Sequence, residues 1–229
     1  MARCPFATWK EITGPSGGFM GGPFRIVHHT TEGSSADSAF AAFLANKSDP
    51  HFTVDATSIF QHIDTDQFAR SLRHIPPGGA TNRKSAIQIE VVGFAHLPKG
   101  PDALRNLARL CRWIEATYTI PRVWPSGYPT VAVNGKDPGG ENRDPTTWAA
   151  SGGHYGHCHV PENTHWDPGY TLDEVNFLQA ASFDAEFRKY LPGQSKLLEG
   201  MLPAADPGIL RGAISTMPDH AVVANGLSP

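Results

Sequence analysis

The run Ser85-Ala86-Ile87-Gln88-Ile89-Glu90-Val91-Val92-Gly93 is the most strand-like stretch of the chain. Apolar and polar side chains alternate along it, so that Gln88 and Glu90 share one face of the predicted strand. A carboxylate inside such an apolar strand costs free energy unless it is paired or takes part in chemistry. Glu90 is therefore a satisfied buried residue, part of an exposed sheet face, or a functional group, and the pattern alone leaves these interpretations open.

The sequence around this run alternates between strand-like and helix-like patterns. Residues 24–29 form a short, mostly apolar run that ends on His28 and His29, at the carboxyl end of a predicted buried strand. Open α/β sheets usually place their sites at that edge. Further strands are predicted at 51–54, 58–63 and 130–133, and helices after Ser34, over 101–118 and over 172–181. We expect an α/β fold with a central mixed β-sheet flanked by helices.

The predicted helix over 101–118 has an apolar stripe and a basic face. The basic face carries Arg105, Arg109 and Arg112. A row of arginines can bind an anion, but a solvated helix face is the commoner explanation of this spacing, and it is the one we favour.

Composition divides the chain into three regions. Residues 1–23 are rich in Gly and Pro and are predicted to form an irregular N-terminal arm. Residues 24–192 carry the strand and helix patterns of one catalytic domain. Residues 193–229 are small, interrupted by Pro and weakly patterned, which predicts a C-terminal tail to which no function is assigned.

The overall composition excludes several classes of protein. The formal net charge of −3 leaves no basic footprint for nucleic acid. No run approaches the roughly twenty apolar residues of a membrane span, and the N-terminus lacks the apolar core of a signal peptide. The 3 cysteines are widely spaced and do not indicate a disulfide framework. We expect a monomer that is synthesised in the cytoplasm.

A second informative stretch is Gly156-His157-Cys158-His159-Val160-Pro161-Glu162-Asn163-Thr164-His165-Trp166-Asp167-Pro168-Gly169. Histidine, cysteine and aspartate side chains are unusually dense in it for a connecting loop. Catalytic zinc takes three ligands of these types and a water molecule. We expect this stretch to meet His28 and His29 around one zinc ion.

Together these motifs resemble the zinc-dependent N-acetylmuramoyl-L-alanine amidases of the amidase-2 type, which include phage lysozyme-type amidases and are related to peptidoglycan recognition proteins. The resemblance covers residues 24–182. Four segments carry it: Ile26-Val27-His28-His29-Thr30, His51-Phe52-Thr53-Val54, Ser85-Ala86-Ile87-Gln88-Ile89-Glu90, and residues 156–169. Each is weak alone, and only the combination is specific.

The resemblance implies that His28, His157 and Asp167 bind the zinc ion. Adjacent strand residues point to opposite faces, so His28 and His29 are alternatives of which we favour His28. His157 and His159 would face the same way in an extended segment, which leaves the choice between them open. Asp167 stands where many relatives have Cys.

The resemblance also assigns roles around the metal. Glu90 is expected to be the general base that then protonates the leaving amine. His165, which stands where relatives often have Lys, is expected to stabilise the oxyanion. His29 and Phe52 are expected to contact the substrate, with Phe52 at a position where many relatives carry Tyr.

The implied reaction is hydrolysis of the amide bond between N-acetylmuramic acid and L-alanine in peptidoglycan, as in a lytic endolysin. The enzyme would then reach the cell wall by release or delivery. Three alternatives share the motifs: a peptidoglycan-binding module without catalysis, an interbacterial toxin effector with the same chemistry, and a wall-recycling amidase. A zinc hydrolase acting on another amide or ester is a further possibility.

Overall fold

A computed structural model describes residues 2–13, 17–73 and 81–180 of the protein, all within the first of the chain's two units, Met1–Pro192. The strands are β1 (Thr8–Trp9), β2 (Arg25–Thr30), β3 (Phe52–Val54), β4 (Ile59–Gln61), β5 (Ala86–Val91) and β6 (Gly153–Gly156). The α-helices are α1 (Ala36–Asn46), α2 (Pro101–Tyr118), α3 (Pro145–Ala150) and α4 (Leu172–Ala180), and short 3₁₀ turns lie at Thr81–Arg83 and His157–His159. The predicted tail, 193–229, lies outside the described residues.

The six strands form one mixed sheet in the order β1-β4-β3-β5-β2-β6. Only β3 and β4 pair antiparallel, and every other neighbouring pair is parallel. The α/β fold with a central mixed sheet is therefore confirmed. Because β5, β2 and β6 run parallel, their carboxyl ends meet at one edge of the sheet, where such folds place their sites.

The register between β2 and β5 decides which side chains share a face. His28 lies opposite Ile89, and His29 lies opposite Glu90. Paired residues of neighbouring strands point to the same side of the sheet, and consecutive residues point to opposite sides. Glu90 and His29 therefore share one face, while His28 and Ile89 share the other.

The main hydrophobic core lies on the His28 side of the sheet, between the strands and α2. It includes Ile26, Phe52, Ile87, Ile89, Leu107, Leu110 and Trp113. The other side has a smaller cluster around Val27, Trp148 and Tyr155. α2 begins with Pro101 at the first turn, as its sequence predicts, and Ser35 is the N-cap of α1.

The predicted solvated face of α2 is wrong for Arg112, which is only 2% exposed. α4 packs against α2 at this position, and Arg112 Nη2 donates to the carbonyl oxygen of Leu178 in α4. The guanidinium also pairs with Glu115 at 2.5 Å. The cation is tolerated in the interior because a carboxylate and a carbonyl receive its protons.

Three further expectations change in the structure. The predicted N-terminal arm contributes β1, which pairs parallel to β4. Residues 130–133 do not form a strand; Val133 instead bridges to Lys136 across a tight turn with positive φ at Asn134 and Gly135. β6 was not predicted, because its sequence, Gly-His-Tyr-Gly, has no apolar alternation.

Among the described residues, none of the helices combines the length and the apolar character needed to cross a membrane.

Gly169 closes the segment that leads from β6 to α4. Its φ is +60°, and a Cβ at this position would lie 1.9 Å from the carbonyl oxygen of Ala95. Only glycine fits such a close backbone approach. The contact holds residues 167–170 against the loop that follows β5.

Replacing Gly169 with Ala is expected to lower the free energy of unfolding by about 3 kcal/mol or more, because the methyl group overlaps backbone that cannot yield. Gly135→Ala is the matched control, with φ +71° but no atom within 4 Å of the added Cβ. Its expected cost is about 1 kcal/mol. Urea unfolding of the metal-free proteins measures both, and equal costs would contradict the packing argument.

Candidate metal centre

His29, His157 and Asp167 meet at the carboxyl ends of β2 and β6. His29 Nδ1 lies 3.0 Å from His157 Nδ1, His157 Nδ1 lies 3.2 Å from Asp167 Oδ1, and His29 Nδ1 lies 3.7 Å from Asp167 Oδ2. All three residues are buried, and they form a group whose ligand atoms lie within 4.8 Å of one another. Tetrahedral zinc with bonds of about 2.0 Å separates its ligand atoms by about 3.3 Å. The three side chains therefore fit a zinc ion.

A second layer of hydrogen bonds fixes the ring of His157. Its Nε2 lies 2.9 Å from Asn163 Oδ1. The backbone N–H of Arg73 also donates to this oxygen, and the amide nitrogen of Asn163 donates to Pro161. Because the oxygen can only accept, His157 carries its proton on Nε2, and the lone pair of Nδ1 points into the centre. Metal-binding histidines are commonly oriented in this way.

Asp167 enters the centre as an ionised carboxylate. Burial alone would raise its pKa, but the interactions with His157 and His29 and the hydrogen bond from the backbone N–H of Thr30 outweigh it, so the pKa lies well below its usual value. The Thr30 N–H donates to Oδ2 at 3.1 Å. The backbone oxygen of Asp167 accepts from Cys158 at 3.0 Å. Asp167 is thus charged, and hydrogen bonds hold both its carboxylate and its backbone in place.

Glu90 lies beside the three ligand candidates on the same face of the sheet. Its Oε1 is 3.9 Å from His29 Nδ1, and its buried Oε2 has no hydrogen-bond partner among the described residues. Burial, followed by the charges of Asp167 and Glu32, raises its pKa well above the usual value. An uncommitted carboxyl group with a raised pKa is suited to exchanging protons with a reacting molecule.

His165 lies at the mouth of the centre. Its side chain is 67% exposed, and its Nδ1 is 3.8 Å from Asp167 Oδ1. The ring stacks on His157, with centroids 4.5 Å apart and planes within 6°. Partial burial and the neighbouring His157 lower its pKa. A hydrogen-bond donor at the open side of the centre can reach a bound substrate.

The structure does not place His28 with His157 and Asp167, and this corrects the predicted grouping. His28 lies on the opposite face of the sheet, where its Nε2 is 3.0 Å from His154 Nδ1 and its Nδ1 is 3.1 Å from Tyr170 Oη. The physical reason is the strand alternation: once Glu90 points to one face, the register puts His29 beside it and His28 behind.

The structure separates His157 from His159 as well. His159 Nδ1 accepts the backbone N–H of Gly156 at 3.1 Å, so its remaining proton lies on Nε2, which faces Glu141 at 3.5 Å. His159 therefore belongs to a separate group with Glu141 and Cys158. The 3₁₀ turn at His157–His159 is what aims the two rings apart.

Phe52 does not lie at the centre, contrary to its predicted contact with substrate. It is fully buried, pairs with Ile89 on the core face, and contacts Trp113 of α2 at a ring separation of 6.1 Å. Its neighbour Thr53 lies opposite Glu90 and shares the face of the centre. Sequence analysis also missed Asn163, which stands inside the quoted 156–169 segment as a polar residue next to its histidines.

Comparison with known proteins extends these observations. The family model described as N-acetylmuramoyl-L-alanine amidase matches residues 23–170. The structure resembles the Staphylococcus aureus hydrolase AmiA in complex with its ligand, at 15% identity over 87% of this chain and 88% of that one, with a TM-score of 0.54. Other similar structures are the amidase LysC of Clostridium intestinale (14% identity, 76% and 96% coverage, TM-score 0.48) and a selenomethionine derivative of AmpD (16% identity, 77% and 96%, 0.48).

A search of curated proteins found no significant match. The likeness to AmiA shows a shared fold. The family match is the stronger finding, because residues 23–170 make up more than half of the 229-residue chain and contain all of the positions that meet at the candidate metal centre. The chain belongs to the N-acetylmuramoyl-L-alanine amidase family.

Proposed function

We propose that this peptidoglycan amidase hydrolyses the bond between N-acetylmuramic acid and L-alanine with a zinc ion held by His29, His157 and Asp167. The observation that carries the proposal is the triangle of ligand atoms, 3.0 to 3.7 Å apart, beside the uncommitted carboxyl group of Glu90. When bound, zinc supplies a Lewis acid for the scissile carbonyl and lowers the pKa of water.

Glu90 is the proposed general base. Its Oε2 takes a proton from the attacking water and later gives it to the nitrogen of the leaving L-alanine. The side chain suits both steps. Burial favours its protonated form, and a zinc ion in the centre would favour its ionised form. No other hydrogen bond competes for Oε2 among the described residues.

His165 is the proposed donor to the oxyanion of the tetrahedral intermediate. Its ring stacks on His157 and remains largely exposed, so it lies over the ligands and on the side from which substrate enters. The backbone oxygen of His165 accepts from Arg143 Nη2 at 2.9 Å, which fixes the segment that presents the ring.

Every proposed ligand and catalytic group comes from the same chain. We therefore infer that a monomer is sufficient for activity. Because its substrate is peptidoglycan, the enzyme acts on the cell wall, and we propose a lytic, endolysin-like role. A toxin effector or a wall-recycling amidase would use the same centre.

The zinc assignment predicts a difference between two buried histidines. His29→Asn is expected to lose stoichiometric zinc, whereas His159→Asn is expected to keep it, because the asparagine oxygen can replace His159 Nδ1 as acceptor for the Gly156 N–H. Zinc per chain after dialysis, measured by atomic emission, decides the matter. One zinc per chain in the dialysed His29 variant would overturn the ligand set.

The general-base assignment predicts that Glu90→Gln keeps zinc and loses turnover. The expected fall in kcat is about 10²- to 10⁴-fold, the usual contribution of a positioned acid or base. The assay follows release of the free amino terminus of L-alanine from purified muropeptides. Turnover at the wild-type rate would remove Glu90 from the mechanism, and a wild-type protein that binds muropeptides without cleaving them would indicate a binding module.

The oxyanion assignment predicts that His165→Ala lowers kcat by about 10²-fold with little change in KM, since the bond forms mainly in the transition state. His96→Ala is the matched control, because His96 is also exposed and its ring lies tilted against that of Phe94, with centroids 5.6 Å apart. Steady-state kinetics on the same muropeptides compares the two. Equal, small effects would show that His165 does not serve the oxyanion.

A further inference from the structure

A chain of buried polar side chains runs behind the metal centre, on the opposite face of the sheet. It begins at Glu115 of α2, which accepts from Arg112 Nη2 at 2.5 Å and from Arg122 Nε at 3.1 Å. His154 Nε2 lies 3.0 Å from the same carboxylate. Burial alone would raise the pKa of Glu115, but His154 and the two arginines outweigh it and hold the pKa below its usual value. Glu115 is therefore ionised.

The ionised carboxylate sets the direction of every hydrogen bond in the chain. Because Glu115 can only accept, His154 donates from Nε2 and has an unprotonated Nδ1. That nitrogen faces His28 Nε2 at 3.0 Å, so His28 is the donor there. His28 Nδ1 then accepts from the phenol of Tyr170 at 3.1 Å. Tyr170, His28 and His154 are each no more than 2% exposed.

The hydrogen-bond chain ends at Tyr170, which lies close in the sequence to a proposed zinc ligand. Tyr170 follows Asp167 by three residues, and the two intervening residues have little freedom. Pro168 has a fixed φ, and Gly169 is in contact with Ala95. The position of the Tyr170 ring therefore constrains the backbone that carries Asp167.

The group formed by His28, His154 and Cys111 could also be considered as a second metal site, since its potential ligand atoms lie within 4.8 Å of one another. The hydrogen bonds argue against this interpretation. All four ring nitrogens are already used by Tyr170, Glu115 and each other. Burial also raises the pKa of the Cys111 thiol far above its usual value, which opposes the thiolate that metals bind.

We propose that Tyr170 and His28 are positioning residues, which hold the Asp167 carboxylate in place for the metal through a buried hydrogen-bond chain anchored on Glu115. The inference rests on the proposed zinc ligands. It gives the two adjacent histidines of β2 separate tasks: His29 faces the metal, and His28 braces the segment that brings Asp167 to it.

The test is Tyr170→Phe in the full chain, which removes one hydroxyl group and keeps the ring. Zinc affinity, measured by competition with a chelator, is expected to fall about 10- to 100-fold, the usual effect of removing a group that orients a ligand. Tyr118→Phe is the matched control, because its hydroxyl group bonds to Thr65 Oγ1 at 2.7 Å away from the centre. The control is expected to bind zinc as the wild type does.

A second variant separates positioning from general stability. Glu115→Gln removes the charge that orders the chain and is expected to weaken zinc binding in the same way. If Tyr170 and Glu115 act through one chain, the double variant binds zinc no more weakly than the weaker single variant. Additive losses, or a lower melting temperature of the metal-free protein with unchanged zinc affinity, would overturn the proposal.

The same measurements distinguish this inference from the zinc assignment. Wild-type affinity in Tyr170→Phe, together with loss of zinc in His29→Asn, would refute the positioning role alone. Retention of zinc in His29→Asn would refute the ligand set. Two zinc ions per wild-type chain, falling to one in Tyr170→Phe, would favour a second metal site over the hydrogen-bond chain.

Discussion

The pairing of His29 with Glu90 across β2 and β5 is the constraint on which the metal centre depends. It places an imidazole and a carboxyl group side by side at the carboxyl edge of the sheet, with His29 Nδ1 3.9 Å from Glu90 Oε1. β6 pairs with β2 on the other side, so its end delivers His157 to the same edge. A slip of one residue between β2 and β5 would turn one of the two side chains into the core.

The surroundings of the two carboxyl groups of the centre shift their pKa values in opposite directions. Asp167 receives the Thr30 N–H and faces two imidazoles, which lowers its pKa despite burial. Glu90 is equally enclosed, but no donor from the described residues reaches its Oε2, and the negative charge of Asp167 raises its pKa further. Pairs of groups separated in this way commonly divide the roles of acid, base and ligand. Because both side chains are carboxylates, the residue types do not explain this division. It follows from which backbone N–H groups the fold presents to each carboxylate.

The periodicity of the sequence predicts several of the strands and helices, but it does not predict which face of each strand points to the metal centre. The alternation in β5 and the helical spacing of α2 predict these elements near their observed bounds. β2 and β3, like β5, are buried on both faces, so burial does not distinguish the functional face at His28 and His29, or at Phe52 and Thr53. The information is in the register with β5, which depends on contacts between segments distant in the sequence.

Ring nitrogens provide a criterion that the sequence cannot supply. Among the described residues, the buried histidines away from the centre have partners at both nitrogens: His28, His51, His62, His154 and His159. His157 differs, because only its Nε2 is committed to a structural acceptor, and its Nδ1 faces His29 and Asp167. A histidine whose nitrogens both serve the fold has no lone pair to offer a metal. Because the other buried histidines use both ring nitrogens in structural hydrogen bonds, only the rings at the centre have a nitrogen free to bind a metal among the buried histidines of the described residues.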